Sequence, residues 1–253
     1  MSPIPQEPVR IAMWSGPRNI STAMMRAFEN RPDTAVSDEP FYGAYLAATG
    51  IDHPMRAEVL AACATDPAAI GAALAGPAPG GAAIWYQKHM THHMVAGTVG
   101  PWMDRCRHAF LIRAPERVLA SYAAKRPEVT FADIGFAQQA RMFDREAERL
   151  GRAPPVIDAD DVLADPRGFL TTLCAALDIP FREAMLKWPA GRRPSDGVWA
   201  PVWYAAVEAS TGFAAPGAAK PLAEALKPIA NAARPYFERL ARYRLAPDRG
   251  RRS

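Results

Sequence analysis

Apolar residues along the chain switch between two periods, and the switch points lay out its elements. Val9, Ile11 and Met13 recur at every second position while Ala12 and Trp14 fill the positions between. That pattern predicts a strand over 9–14, covered on both faces and placed mid-sheet. Ser15-Gly16-Pro17-Arg18-Asn19 is turn chemistry, and from Ile20 onward Ile20, Met24, Ala27 and Phe28 fall at helical spacing, with Asn19 or Ser21 available as the cap. Further strand-like runs follow at 34–37, 82–86, 107–112 and 155–159, separated by helical segments. The order of strands and helices predicts an α/β fold of three layers around a central parallel sheet, in one domain spanning 1–253.

Between the strands the reading is coarser. Residues 41–75 are Ala-rich and break at Gly50, Pro54 and Pro67, which predicts short helices in a helical insertion over about 41–81 that ends in a Gly/Pro loop. A short helix closes near 102–105, and Pro115 suits the first turn of a helix whose last turn carries Lys125-Arg126 before Pro127. Residues 131–150 are amphipathic, Asp165 is placed to cap a helix starting at Pro166, and helices are expected over 169–177, 181–188 and 222–243. Residues 188–213 read as a mixed loop rich in Gly, Arg and Trp.

The first strand–loop–helix gives this scaffold a candidate chemistry. Free N–H groups and the positive end of the helix dipole converge on the loop, where an anion is stabilised. Arg18 adds a full charge, and Ser21 and Thr22 add hydroxyl donors. Compared with the nucleotide-binding loop G-x-x-x-x-G-K-S/T, Gly16 is present but the second Gly and the Lys are missing, which disfavours an NTPase or kinase. On these residues alone an ordinary crossover with an Arg at its rim stays open.

Pro17-Arg18-Asn19-Ile20-Ser21-Thr22 resembles the P-K/R-S-G-T/S-T/S loop of sulfotransferases, with Asn19 where that family has Ser and Ile20 where it has Gly. Leu111-Ile112-Arg113-Ala114-Pro115, followed by Ser121-Tyr122, resembles the second signature of the family, L-x-R-x-P followed by S-Y/W. The resemblance implies a fold like that of the P-loop NTPases. It also implies a donor, 3′-phosphoadenosine 5′-phosphosulfate (PAPS), with 3′-phosphoadenosine 5′-phosphate (PAP) as product. Gly16, Pro17, Arg18, Asn19, Ile20, Ser21 and Thr22 are then expected to hold the 5′-phosphosulfate, and Arg113 and Ser121 the 3′-phosphate. The wording S-G-P-R-N-I-S-T, with Q-K-H-M-T-H-H at 87–93, is most similar to a bacterial branch related to a domain found beside aminotransferases in plants.

The same resemblance assigns the remaining candidates. Glu39, in Asp38-Glu39-Pro40 at a strand's carboxyl end, is expected to share a cleft with Arg18 and to act as the general base. Lys88-His89 is similar to a K-x-H segment whose Lys contacts the transferring group, which leaves His89 and His92 as alternative bases. Asp160 to Pro166 resembles a structural E-D-L-x-x-D-P segment. Arg192 or Arg193 could serve as a late 3′-phosphate grip, and Trp199, Trp203 and Tyr204 could stack on adenine or line the acceptor site. The expected activity is sulfuryl transfer from PAPS to a hydroxyl or amine of a small acceptor. The alternatives are a PAPS- or nucleotide-binding module without turnover and, further off, a P-loop kinase.

Composition narrows the partners. With 30 Lys and Arg against 26 Asp and Glu the net charge is +4, and part of the surplus lies in a basic tail expected to be flexible over 246–253. That tail is short and free of aromatics, so no nucleic-acid partner is expected. No apolar run approaches a membrane span and the first residues lack the apolar core of a signal peptide, which leads us to expect a cytoplasmic protein without a membrane partner. Three widely spaced cysteines suggest neither disulfides nor a zinc module, and His89, His92 and His93 have no accompanying metal motif. No metal is expected, because a sulfuryl group carries less charge than a phosphoryl group and fixed cations can suffice. Homo-oligomerisation is left open.

Overall fold

In the computed structural model, which describes residues 7–126, 128–218 and 221–247, five parallel strands form one sheet in the order β2-β3-β1-β4-β5. They are β1 (Val9–Ser15), β2 (Thr34–Asp38), β3 (Ile84–Met90), β4 (Cys106–Ile112) and β5 (Val156–Asp158). The helices are α1 (Ser21–Glu29), α2 (Tyr42–Thr49), α3 (Arg56–Ala62), α4 (Pro67–Ala75), α5 (Pro115–Ala123), α6 (Phe136–Leu150), α7 (Ala159–Ala164), α8 (Pro166–Ala176), α9 (Ala200–Trp203), α10 (Ala205–Glu208) and α11 (Lys227–Ala241).

The period-two pattern of β1 is the reason the sheet has a core on each side. Ile11 and Met13 pack with Met24 and Phe28 of α1 and Leu170 and Leu173 of α8, whereas Ala12 and Trp14 pack with Phe110, Trp102 and the α6 residues Met142 and Phe143. A strand buried this way sits at the middle of its sheet, and β1 pairs with both β3 and β4. The insertion contributes α2, α3 and α4, and Tyr42, Tyr45 and Val59 form a small cluster with Trp199 and Tyr204. That cluster roofs the carboxyl end of the sheet.

Several boundaries depart from the sequence expectation, and one changes the chemistry. The strand expected over 82–86 runs from Ile84 to Met90, so Lys88 and His89 lie inside it. Successive side chains of a strand point to opposite faces, so these two neighbours face away from each other. The helix expected from 131 starts at Phe136, because Gly135 at φ +67° ends a preceding 3-10 turn. Only a 3-10 turn, Glu183–Leu186, forms within 181–188, and α9 and α10 lie inside the segment expected to be a loop. Asp165 does cap α8, accepting from the Gly168 N–H at 2.9 Å. Pro127 and residues 248–253 of the basic tail lie outside the described residues. Among the described residues, no single helix is long and apolar enough to cross a membrane.

Candidate functional site

The carboxyl ends of β1 to β4 open onto one cavity of about 330 Å³ whose wall includes Arg18, Ser21, Thr22, Glu39, Lys88, Arg113 and Ser121. Its floor is the β1–α1 loop. Two non-glycine residues there, Arg18 at φ 60° and Ile20 at φ 58°, adopt the left-handed conformation that favours glycine. For a β-branched residue such as Ile20 this is strained, and the expected glycine of the sulfotransferase loop falls at this position.

Neither Asn19 nor Ser21 caps α1. Ile20 occupies the N-cap position and no side chain accepts from the first turn, which leaves that end of the helix open toward the cavity. Asn19 is instead a tether, its Nδ2 donating to the Leu111 carbonyl at 2.8 Å and fixing the loop to β4. Gly16 is not on the cavity wall; a Cβ there would meet the Ile134 carbonyl oxygen at 2.7 Å, so the glycine permits a close backbone approach below the loop.

The cations at this end are only partly neutralised. Arg113 donates to Asp160 at 3.0 and 3.2 Å, and Arg117 reaches the other Asp160 oxygen at 2.6 Å. Arg113 also donates to the Arg18 carbonyl at 3.0 Å. Arg18 has no acidic partner among the described residues; its Nε donates to Ser121 Oγ at 2.9 Å. Burial and then the field of Arg113 both push its pKa down, as expected of a guanidinium without a counter-ion. Arg113 and Ser121 therefore meet at Arg18, and one arginine on Asp160 plus Arg18 remain uncompensated.

A buried charge network forms the opposite side. Lys88 Nζ lies 2.9 Å from Asp38 Oδ1, 2.8 Å from Glu39 Oε1, 2.6 Å from the Tyr204 hydroxyl and 3.1 Å from Thr22 Oγ1. Tyr204 also bonds Asp38 at 2.7 Å and accepts from Trp199 Nε1 at 3.0 Å, while the Gly197 N–H donates to Asp38 at 3.1 Å. Burial alone would lower the Lys88 pKa, but Asp38 and Glu39 outweigh it and hold the ammonium charged. Burial raises Glu39 above the usual carboxylate range, with Lys88 pulling the other way and Asp38 adding to the rise. Glu39 is thus a carboxylate with raised basicity on the cavity wall.

The histidines separate by strand alternation. His89 faces the far side of the sheet, stacked on Trp14 with ring centroids 4.6 Å apart and against Trp102 at 5.1 Å, and it does not reach the cavity. It is a core residue, which removes it as a candidate base. His92 does line the cavity, edge-on to Tyr45, and burial lowers its pKa to about 3. His93, which sequence reasoning did not single out as a base, stacks between Tyr42 and Tyr45 with Nδ1 3.9 Å from Glu39. His53, from the insertion, bonds the Tyr42 hydroxyl and stacks on Trp203 at 5.6 Å; burial lowers its pKa to about 4. These rings are neutral near pH 7 and offer hydrogen bonds and flat apolar faces.

Arg192 and Arg193 do not line the cavity. Arg193 sits 4.0 Å from Glu29, the last residue of α1, and Arg192 is exposed. A nine-residue helix is about 13 Å long, so this contact is at the wrong end of α1 for the loop. The segment is anchored there by the buried Arg26–Asp196 pair at 2.6 Å. Of the aromatic candidates, Trp203 and Tyr204 line the cavity, whereas Trp199 is buried behind Tyr204. Asp38 was missed, although its place beside Glu39 at a strand's carboxyl end was visible in the sequence.

Comparisons with known proteins bear on the family and the fold. Residues 9–243 match the family model described as "Sulfotransferase domain". Two Arabidopsis thaliana relatives, named branched-chain-amino-acid aminotransferase-like proteins 1 and 2, are 40% and 36% identical over 83% and 81% of this chain. The chain spans only 37% and 36% of their lengths. A crystal structure of a sulfotransferase from Alicyclobacillus acidocaldarius aligns with a TM-score of 0.56 at 13% identity, covering 95% of this chain and 98% of that one. The sulfotransferase domain of the Synechococcus PCC 7002 olefin synthase aligns at 0.50 with 16% identity, covering 97% and 99%; both likenesses speak to the fold. With residues 9–243 of its 253 matched by that family model, the chain belongs to the sulfotransferase domain family.

Proposed function

We propose that this protein transfers a sulfuryl group from PAPS to a hydroxyl or amine of a small acceptor. The observation that carries the reading is the unpaired Arg18 beside the uncapped N-terminus of α1, in a cavity whose opposite wall holds Glu39 and Lys88. Arg18, Ser21, Thr22 and the first N–H groups of α1 would hold the 5′-phosphosulfate, and the residual charge around Arg113 would suit a 3′-phosphate. Lys88 would stabilise charge on the oxygen between phosphorus and sulfur. In the transfer a bond forms from the acceptor oxygen or nitrogen to sulfur, the bond from sulfur to the bridging oxygen breaks, and PAP leaves with that oxygen.

Glu39 is the base we assign, taking the acceptor proton. Its raised pKa brings it nearer to neutrality, whereas His92, lowered to about 3, has little affinity for a proton. A binding module without turnover is favoured by one observation, the strained Ile20 filling a place where the family has glycine. A kinase is disfavoured by a loop without the second Gly and the Lys that a nucleoside triphosphate's β- and γ-phosphates call for.

The test is acceptor-dependent release of PAP from PAPS, followed in wild type and Glu39→Gln with a panel of small alcohols and amines. Wild type is expected to release PAP with some members of the panel. Glu39→Gln is expected to bind PAP unchanged and to turn over about 10²–10⁴-fold more slowly. PAP binding by wild type with no acceptor-dependent release would transfer the conclusion to the binding module.

A further inference from the structure

Beside the cavity, and sharing His53 with it, lies a second pocket whose cations make no ion pair among the described residues. α5 stops at Ala123, so Arg126 lies in the turn beyond it, its N–H donating to the Tyr122 carbonyl at 2.9 Å. Arg126 and Arg56 of α3 line that pocket. Neither arginine makes an ion pair among the described residues, and each keeps a buried nitrogen without a partner, Nη1 of Arg126 and Nε of Arg56. Among the described residues no acid reaches ion-pair distance of them: Asp52 and Glu58 on the same rim are exposed, and Asp133, whose charge opposes that of Arg126 at His53 and Tyr122, accepts from the N–H and hydroxyl of Thr130 at 2.7 and 2.8 Å. A buried guanidinium nitrogen without an acceptor loses a charge-assisted hydrogen bond, so an occupant that restores it is favoured.

Toward that pocket the cavity wall is aromatic. Tyr42, His53, Tyr122 and Trp203 line the path from Glu39 outward. Arg126 hydrogen-bonds the Tyr122 side chain and lines the neighbouring pocket with His53, which puts it next to that aromatic wall. We propose that the acceptor is a small anionic alcohol or amine, its nucleophile at Glu39 and its anionic end, a carboxylate by preference, on Arg126 and Arg56. The planar guanidinium fork matches a carboxylate in two parallel bonds. This assignment rests on the sulfotransferase reading above, since it places the reacting end by Glu39.

The test measures binding of hydroxy acids to the full chain saturated with PAP, by calorimetry. The probes are ω-hydroxyalkanoic and hydroxyphenyl-alkanoic acids of graded length, each beside its neutral primary amide. In wild type at least one acid is expected to bind about tenfold or more tighter than its amide. Arg126→Met is expected to bring that ratio near unity with PAP affinity unchanged, and Arg56→Met to reduce it, which also covers a folding failure in either variant. The proposal is overturned if no acid binds, if amides bind as well as acids, or if both variants keep the preference. Failure of wild type to bind PAP overturns the donor reading instead, and this assignment with it.

Discussion

Lys88→Met is the perturbation that most directly probes the buried network at the cavity. The ammonium lies within 3 Å of both Asp38 and Glu39, whose side chains are 2% and 11% exposed. Removing it leaves two adjacent buried carboxylates without a counter-charge, which costs about 3–5 kcal/mol of stability at neutral pH. The sign with pH follows from the same geometry. Without Lys88 the folded pKa of Glu39 climbs further above its unfolded value of 4.5, so the added cost is present at high pH and shrinks as pH falls toward that raised value. The recovery is limited to about 1.4 kcal/mol per pH unit for each proton taken up. Urea unfolding of wild type and variant at pH 7.5 and 5.5 measures the difference, and Lys88→Met/Asp38→Asn is expected to recover about 1–3 kcal/mol of it. A loss below about 1 kcal/mol at both pH values, or one that does not change with pH, would refute the network as drawn.

Other consequences are open to equally direct measurement. Arg18→Met is expected to weaken PAP binding about tenfold or more, whereas Arg193→Ala, at the far end of α1, should leave it unchanged; equal effects would contradict the placement of both residues. Truncating a buried Ile costs about 2–5 kcal/mol as a rule, but Ile20→Gly also relieves a left-handed β-branched residue, so in urea unfolding its cost is expected to be about 1–2 kcal/mol smaller than that of Ile20→Ala, which keeps the strain; equal costs would contradict the strained loop. His89 is buried and neutral, with a folded pKa near 3 against 6.5 unfolded, so its contribution is full above pH 6.5 and is lost as pH falls toward 3. By pH 5 that amounts to about 2 kcal/mol, and a His89→Phe variant should lose correspondingly less stability than wild type between pH 7.5 and 5.

How much of this was legible in the sequence depended on whether a residue's partners were local. Val9 to Phe28 announced a central strand, a turn and a helix because alternation, turn chemistry and helical spacing are all short-range signals. Asp165 was readable as a cap for the same reason. The run Gln87-Lys88-His89 concealed a strand, because its polar groups are satisfied by residues far along the chain: Lys88 by Asp38 and Tyr204, His89 by Trp14 and Trp102. Once the strand is extended to Met90, alternation alone sends Lys88 to the cavity and His89 to the core. The place of Arg192 and Arg193 away from the cavity was not readable, because it is set by Arg26 and Asp196, a pairing across 170 positions that no local pattern encodes. The N-cap of α1 misled in a different way, since Ile20 takes a conformation its side chain disfavours.

The central claim is that the β1–α1 loop and Arg113 recognise a nucleotide carrying a 3′-phosphate. Calorimetric titration of the full chain with PAP, beside AMP and Mg-ATP, tests it most directly. The account predicts that PAP binds without added Mg²⁺, about tenfold or more tighter than AMP. AMP binding as tightly as PAP, or Mg-ATP binding where PAP does not, would contradict it.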